Sequence, residues 1–142
     1  MHNPYHEIVR EKLAALQSYY KELAELQHIT FEDYRSNHLY KRTIERLLQL
    51  IVEAATDINN MVLKGTGEET PADYYSSFIK MAEVKVFPME FALGIAPSTG
   101  LRNIVVHEYQ KIDDRLVHAS IQNTMKHYLR YMEYLEDYLE AN

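Results

Sequence analysis

Apolar and aromatic side chains recur along this chain at alternating steps of four and three, the spacing that gathers them onto one face of an α-helix. Val9, Leu13, Leu16, Tyr20 and Leu23 form the first such stripe and predict a helix from about Pro4 to Gln27. Tyr40, Ile44, Leu47, Ile51, Ala54, Ile58 and Met61 form the second, predicting a helix of about 25 residues. A third stripe, through Val117, Ile121, Thr124, Tyr128, Tyr131, Leu135 and Tyr138, runs almost to the C-terminus. Leu48, Ala55 and Val62 widen the second stripe, which marks that helix as the most buried of the three.

Shorter helices are predicted between these. Thr30 can cap one that opens with Phe31-Glu32-Asp33. Gly65-Thr66-Gly67 stops the second long helix. Thr70 as N-cap and Pro71 at the first helical position start another, running to about Lys85 and burying Tyr74, Tyr75, Phe78 and Met81. Pro88 suits the first turn of a further short helix, ended by Pro97-Ser98-Thr99-Gly100. Residues 101 to 110 form the next, and Asp113 is placed to cap the last. No segment alternates with the period of a strand. The expectation is an all-α, up-and-down bundle of about five to six helices, a single domain over residues 1–142.

Composition narrows the classes. Hydrophobic residues at 46% and charged residues at 25% are ordinary for a soluble globular protein. With no Cys there is neither a disulfide framework nor thiolate chemistry. The N-terminal MHNPYHEIVREK lacks a signal-peptide pattern, and no apolar run approaches the roughly 18 residues of a membrane span. A cytoplasmic protein without membrane contact is the default expectation. A net charge of −6 argues against nucleic-acid binding by bulk electrostatics, so any RNA site has to be a local basic patch. Four Gly leave no phosphate-binding loop, and His2, His6, His28 and His38 lie in terminal or connecting segments without metal spacing. No cofactor and no metal is expected.

The chemistry concentrates in Arg102-Asn103-Ile104-Val105-Val106-His107-Glu108-Tyr109. Arg is permanently charged, and its planar fork suits two phosphate oxygens at once. His, with an ordinary pKa of about 6.5, can take or give a proton near neutral pH. Spacing alone carries little: in a chain with seven Arg and seven His, such a pair arises by chance about one time in three. On spacing alone Arg102 reads as a helix-terminal surface charge and His107 as a partly buried helix histidine. Tyr109, one of twelve tyrosines, reads as a core ring with its hydroxyl at the rim.

The longer segment RNIVVHEYQKID resembles the RNxxVHxYxxID signature of the HEPN superfamily, in its HepT-like branch. IVEAATDINN is similar to that family's long second helix, and PADYYSSF to its proline–tyrosine–phenylalanine segment; the resemblance spans about Asn37 to Tyr138. It implies an all-α homodimer acting as a metal-independent RNase toxin, with tRNA among the family's substrates. It also implies a small nucleotidyltransferase antitoxin of the MNT type as partner, which silences the toxin by attaching AMP to the motif tyrosine. Residue by residue, the resemblance makes Arg102 and His107 the catalytic pair, Asn103 a supporting polar residue and Tyr109 the AMPylated phenol.

Helical geometry constrains such a site. At about 100° per residue, Arg102 and His107 lie about 140° apart around an ideal helix, whereas Tyr109 lies about 20° from Arg102. Either Arg102 sits on an irregular first turn after Gly100, or two copies complete one site across a two-fold axis. AMP on Tyr109 would place negative charge where RNA phosphates pass.

Glu53 and Asp57 form an acidic i, i+4 pair on a largely apolar helix. They read either as a polar edge or as partners orienting Arg102 or His107. Tyr128, Tyr131 and Tyr138 read as core or subunit interface, because the surrounding carboxylates would repel RNA. Two rival functions stay open. One is a non-catalytic HEPN bundle that binds a nucleotide or a partner protein, which the acidic charge favours. The other is a helical scaffold with an incidental motif.

Overall fold

The apolar stripes fold against one another as helices around a single contiguous core running from Val9 to Leu139. The structure, a computed structural model, describes residues 4–107 and 112–142. Among them are α1 (Pro4–Leu26), α2 (Phe31–Ser36), α3 (His38–Gly65), α4 (Tyr74–Glu83), α5 (Met89–Ile95), α6 (Ser98–His107) and α7 (Asp114–Ala141). The all-α expectation holds, and the count reaches seven once the short α2 is included. None of the described helices is long and apolar enough to cross a membrane.

The long helices follow their stripes. α3 carries more buried residues than any other element and packs against α1, α2, α4 and α6, as its widened stripe predicts. Each fully buried Leu or Ile there contributes about 1.5–3 kcal/mol relative to exposure. Tyr40, counted in that stripe, is instead exposed in the first turn, and the buried face begins at Ile44.

Caps fix where the helices start. Thr30 accepts from the Asp33 N–H, and Asn37 from those of Leu39 and Tyr40. Asp113 accepts from Arg115 and Leu116, as expected. α3 ends at Gly65, and Gly67 then takes a positive φ of 84°, with the Glu68 N–H reaching back to the Leu63 carbonyl.

Two starts differ from the sequence expectation. α4 begins at Tyr74 under an Asp73 cap rather than at Pro71 under Thr70. Asp73 accepts from the Ser76 N–H at 2.7 Å, and a carboxylate is a stronger acceptor than a hydroxyl. The face α4 buries is then Ser77, Phe78 and Met81, with Tyr74 half-buried beside them, so Tyr75, one step round, stays 44% exposed rather than buried. α6 begins at Ser98, three residues before the expected start. Ser98-Thr99-Gly100 is thus its first turn, not a terminator: Thr99 Oγ1 donates to the Ala96 carbonyl at 2.9 Å, and the Ser98 and Tyr128 hydroxyls meet at 2.7 Å, tying the turn to α7.

A buried polar chain links three helices. The Tyr131 hydroxyl lies 2.6 Å from Asn59 Oδ1, to which it donates, and 3.0 Å from the Ala55 carbonyl. Asn59 Nδ2 donates to Ser77 Oγ at 3.0 Å, and that hydroxyl donates to the Tyr74 carbonyl at 2.7 Å. Burial pushes the Tyr131 and Tyr128 hydroxyls well above the ordinary tyrosine range.

Tyr131→Phe, which leaves the buried Asn59 oxygen without its donor, should destabilise the fold by about 1–3 kcal/mol in urea titration. Because both tyrosine pKa values are raised on folding, their share of stability is complete below the unfolded value near 10 and is lost as pH rises above it. The native chain should therefore show a falling Tm above about pH 10, with a shallower fall in Tyr131→Phe.

Candidate functional site

Helix α6 presents Thr99, Asn103 and His107 at steps of four, so they stack along one face, with Arg102 beside them. Thr99 is buried, and Asn103 and His107 are exposed. The N-terminus of α4 stands opposite, with Asp73, Tyr74 and Tyr75. Between the two walls lies an open cleft of about 600 Å³.

Arg102 is held from two directions. Its Nε and Nη2 both donate to Oε2 of Glu53 on α3, Nε at 2.9 Å, and the same oxygen accepts from Gln49 Nε2 at 3.2 Å. Its guanidinium also lies over the Tyr74 ring, with Cζ 4.7 Å from the centroid. The arginine side chain is 13% exposed and that of Glu53 is 26% exposed, so the pair is only partly screened by water. Nη1 donates to Asn103 Oδ1 at 3.2 Å. A guanidinium has five N–H donors, so among the described residues these contacts leave one N–H on each Nη without a partner. Two such donors from one plane are what a phosphate group accepts.

The structure thus brings Arg102, Asn103 and His107 onto one cleft. It does so without an irregular first turn at Arg102, which lies in the second turn of α6, and both Arg102 and His107 line the cleft. Tyr109 lies outside the described residues. Of the acidic pair, Glu53 is the partner of Arg102, whereas Asp57 is 60% exposed and faces Lys12 at 3.7 Å. Among the described residues no three His, Cys, Asp or Glu side chains gather as a metal set.

Tyr74, Tyr75, Asp73 and Gln49 were not singled out as site residues from the sequence. Tyr74 reads there as one more core ring, and only its place beneath Arg102 distinguishes it. The Ser76 backbone N–H, and then its hydroxyl, hold the Asp73 carboxyl below the ordinary carboxylate range, so it is an anion on the α4 wall.

Comparison with known proteins adds to this geometry. Residues 16–135 match the family described as ribonuclease HepT-like. The chain is 34% identical over 132 residues to tRNA nuclease HepT of Aphanizomenon flos-aquae, covering 93% of this chain and 90% of that protein. It is also 34% identical over 89 residues to a putative RNase of Archaeoglobus fulgidus, covering 63% of this chain and 67% of that one. A solved structure of a tri-AMPylated Shewanella oneidensis HEPN toxin in complex with an MNT antitoxin superimposes with a TM-score of 0.82. At 20% identity over 92% of this chain and 97% of that one, this likeness shows a shared fold.

Arg102→Ala and Glu53→Ala should each destabilise the fold, and the double variant should lose less than their sum. A double-mutant cycle in urea is expected to return a coupling of about 1–3 kcal/mol. A coupling near zero would mean that the pair is not formed in solution.

Proposed function

The chain belongs to the ribonuclease HepT-like family and so is a HEPN ribonuclease, and from that premise we propose that it is a toxin that cuts a cellular RNA at the α4/α6 cleft without a metal ion. The observation that carries this reading is the convergence of Arg102, Asn103 and His107 on one open cleft, with the arginine fixed by Glu53 and Tyr74. Transfer RNA is the proposed substrate, in line with the activity named for the Aphanizomenon relative. In this reading residues 1–142 act as a single domain in the cytoplasm.

The proposed reaction needs little more than this site holds. The 2′-hydroxyl loses its proton to a base and its oxygen attacks the adjacent phosphorus. The P–O5′ bond breaks, and the 5′-oxygen takes a proton from an acid, leaving a 2′,3′-cyclic phosphate and a 5′-hydroxyl. His107 serves a proton role near neutral pH. Arg102, with its two free N–H groups, gathers the non-bridging oxygens as charge builds, an effect worth about 3–4 kcal/mol by analogy with oxyanion donors. Asn103 keeps the guanidinium plane facing the cleft. One histidine cannot be base and acid in the same step, so we place a homodimer around the reaction, each copy supplying one His107.

The antitoxin in this reading is a cognate MNT-type nucleotidyltransferase, as in the Shewanella complex, and Tyr109 is the residue it AMPylates. Tyr109 follows His107 by two residues, a span of at most about 7 Å of chain. In this reading a nucleotide on its hydroxyl brings a phosphate that competes with RNA for Arg102. A second reading, a bundle that grips a nucleotide without cutting it, is favoured by one observation: Glu53 already offsets the charge of Arg102 on a body of net charge −6.

His107→Ala should remain folded by circular dichroism yet lose at least 100-fold in cleavage of total tRNA, with the native activity unchanged by chelator. Retained cleavage would remove His107 from the reaction, and a native chain that binds RNA without cutting it would favour the second reading. Tyr109→Phe should cleave as the native chain does but escape the nucleotidyltransferase. AMP found by mass spectrometry on another residue would overturn that assignment.

A further inference from the structure

The two walls of the cleft differ in chemistry. The α6 wall carries Arg102, Asn103 and His107, whereas the α4 wall carries the Asp73 carboxylate and two tyrosines. An RNA phosphate cannot favour both walls: the arginine attracts it and the carboxylate repels it. The N-terminus of α4 offers an anion no site either, since the Asp73 side chain already caps it. By charge, α6 is the wall suited to the backbone of a bound strand and α4 the wall suited to a base.

One aromatic ring on that wall is free to receive it. The Tyr74 ring is covered by the Arg102 guanidinium at 4.7 Å. Tyr75 is 44% exposed at the cleft, and among the described residues it makes no hydrogen bond or ring contact. It is off the face by which α4 joins the core.

We propose that Tyr75 is a stacking platform for one unpaired base of the substrate, so that the cleft selects single-stranded over duplex RNA; this rests on the ribonuclease reading given above. A base inside an A-form duplex has both faces covered by its neighbours and cannot lie on a protein ring. A base in a loop or at an end can, and aromatic stacking tolerates any base because each has a π-face. The same unstacking serves the reaction. A-form geometry holds the 2′-oxygen away from the line of the P–O5′ bond, and a nucleotide turned out of its stack is free to rotate into that line. Tyr75 thus acts on the choice of substrate, and Arg102 and His107 act on the phosphate.

The test measures binding separately from cutting. Fluorescein-labelled 2′-O-methyl oligoadenylate has no 2′-hydroxyl to attack, so the native chain can bind it without cleaving it. By fluorescence anisotropy the single strand should bind more tightly than the same strand annealed to oligouridylate. Tyr75→Ala should weaken single-strand binding roughly 5- to 150-fold, the range expected for one lost base–aromatic stack, while Tyr75→Phe keeps it. Duplex binding should be the same in all three proteins. Tyr75→Ala binding the single strand as tightly as the native chain would overturn the platform and leave the ribonuclease reading intact, as would a loss shared equally by single strand and duplex. A native chain that binds neither RNA and cuts no tRNA would overturn both together.

Discussion

A buried side-chain amide has no water to turn to, so every partner it lacks destabilises the fold, and Asn59 in the middle of α3 meets that constraint by joining three helices. Its oxygen takes the Tyr131 hydroxyl of α7 and its nitrogen reaches the Ser77 hydroxyl of α4, which in turn holds the Tyr74 carbonyl. Apolar burial alone would let these helices slide or rotate by small amounts at little cost, since hydrophobic contact is not directional. The hydrogen-bonded chain sets their registry. It also ends at the residue whose ring lies beneath Arg102, so the registry of the core becomes the geometry of the cleft.

The electrostatics of the cleft follow from that placement. An arginine on an acidic protein is easily drawn into surface ion pairs that vary with its rotamer. Here Glu53, itself held by Gln49, and the Tyr74 ring confine the guanidinium to one orientation. The partner lowers the net charge of the site but, among the described residues, leaves two N–H groups without an acceptor. Under the proposed function a phosphate would meet directed donors rather than a diffuse positive field, which fits a net charge of −6 for the whole chain.

Much of this architecture is legible before any coordinates. The stripes at steps of four and three mark the long helices because helical periodicity is a local property of the backbone. Thr30 and Asp113 mark helix starts because a cap acts within three residues of itself. The errors are also local in origin. Thr70 and Asp73 are both acceptable caps, and the stronger acceptor prevailed. Tyr75 reads as core from the sequence because tyrosine is amphipathic, although its position one step past Tyr74 takes it off the buried face.

The sequence by itself determined the long helices, the Thr30 and Asp113 caps and the spacing of Arg102, Asn103 and His107, since each depends on residues a few positions apart. Only the tertiary structure decided that Glu53, 49 residues before Arg102, holds its guanidinium while Asp57 faces Lys12. It alone placed Tyr74 beneath that arginine and left Tyr75 open on the opposite wall. Those outcomes depend on how far each helix is rotated when the core closes. Rotation is settled by packing and buried hydrogen bonds between helices distant in sequence, which no local pattern encodes.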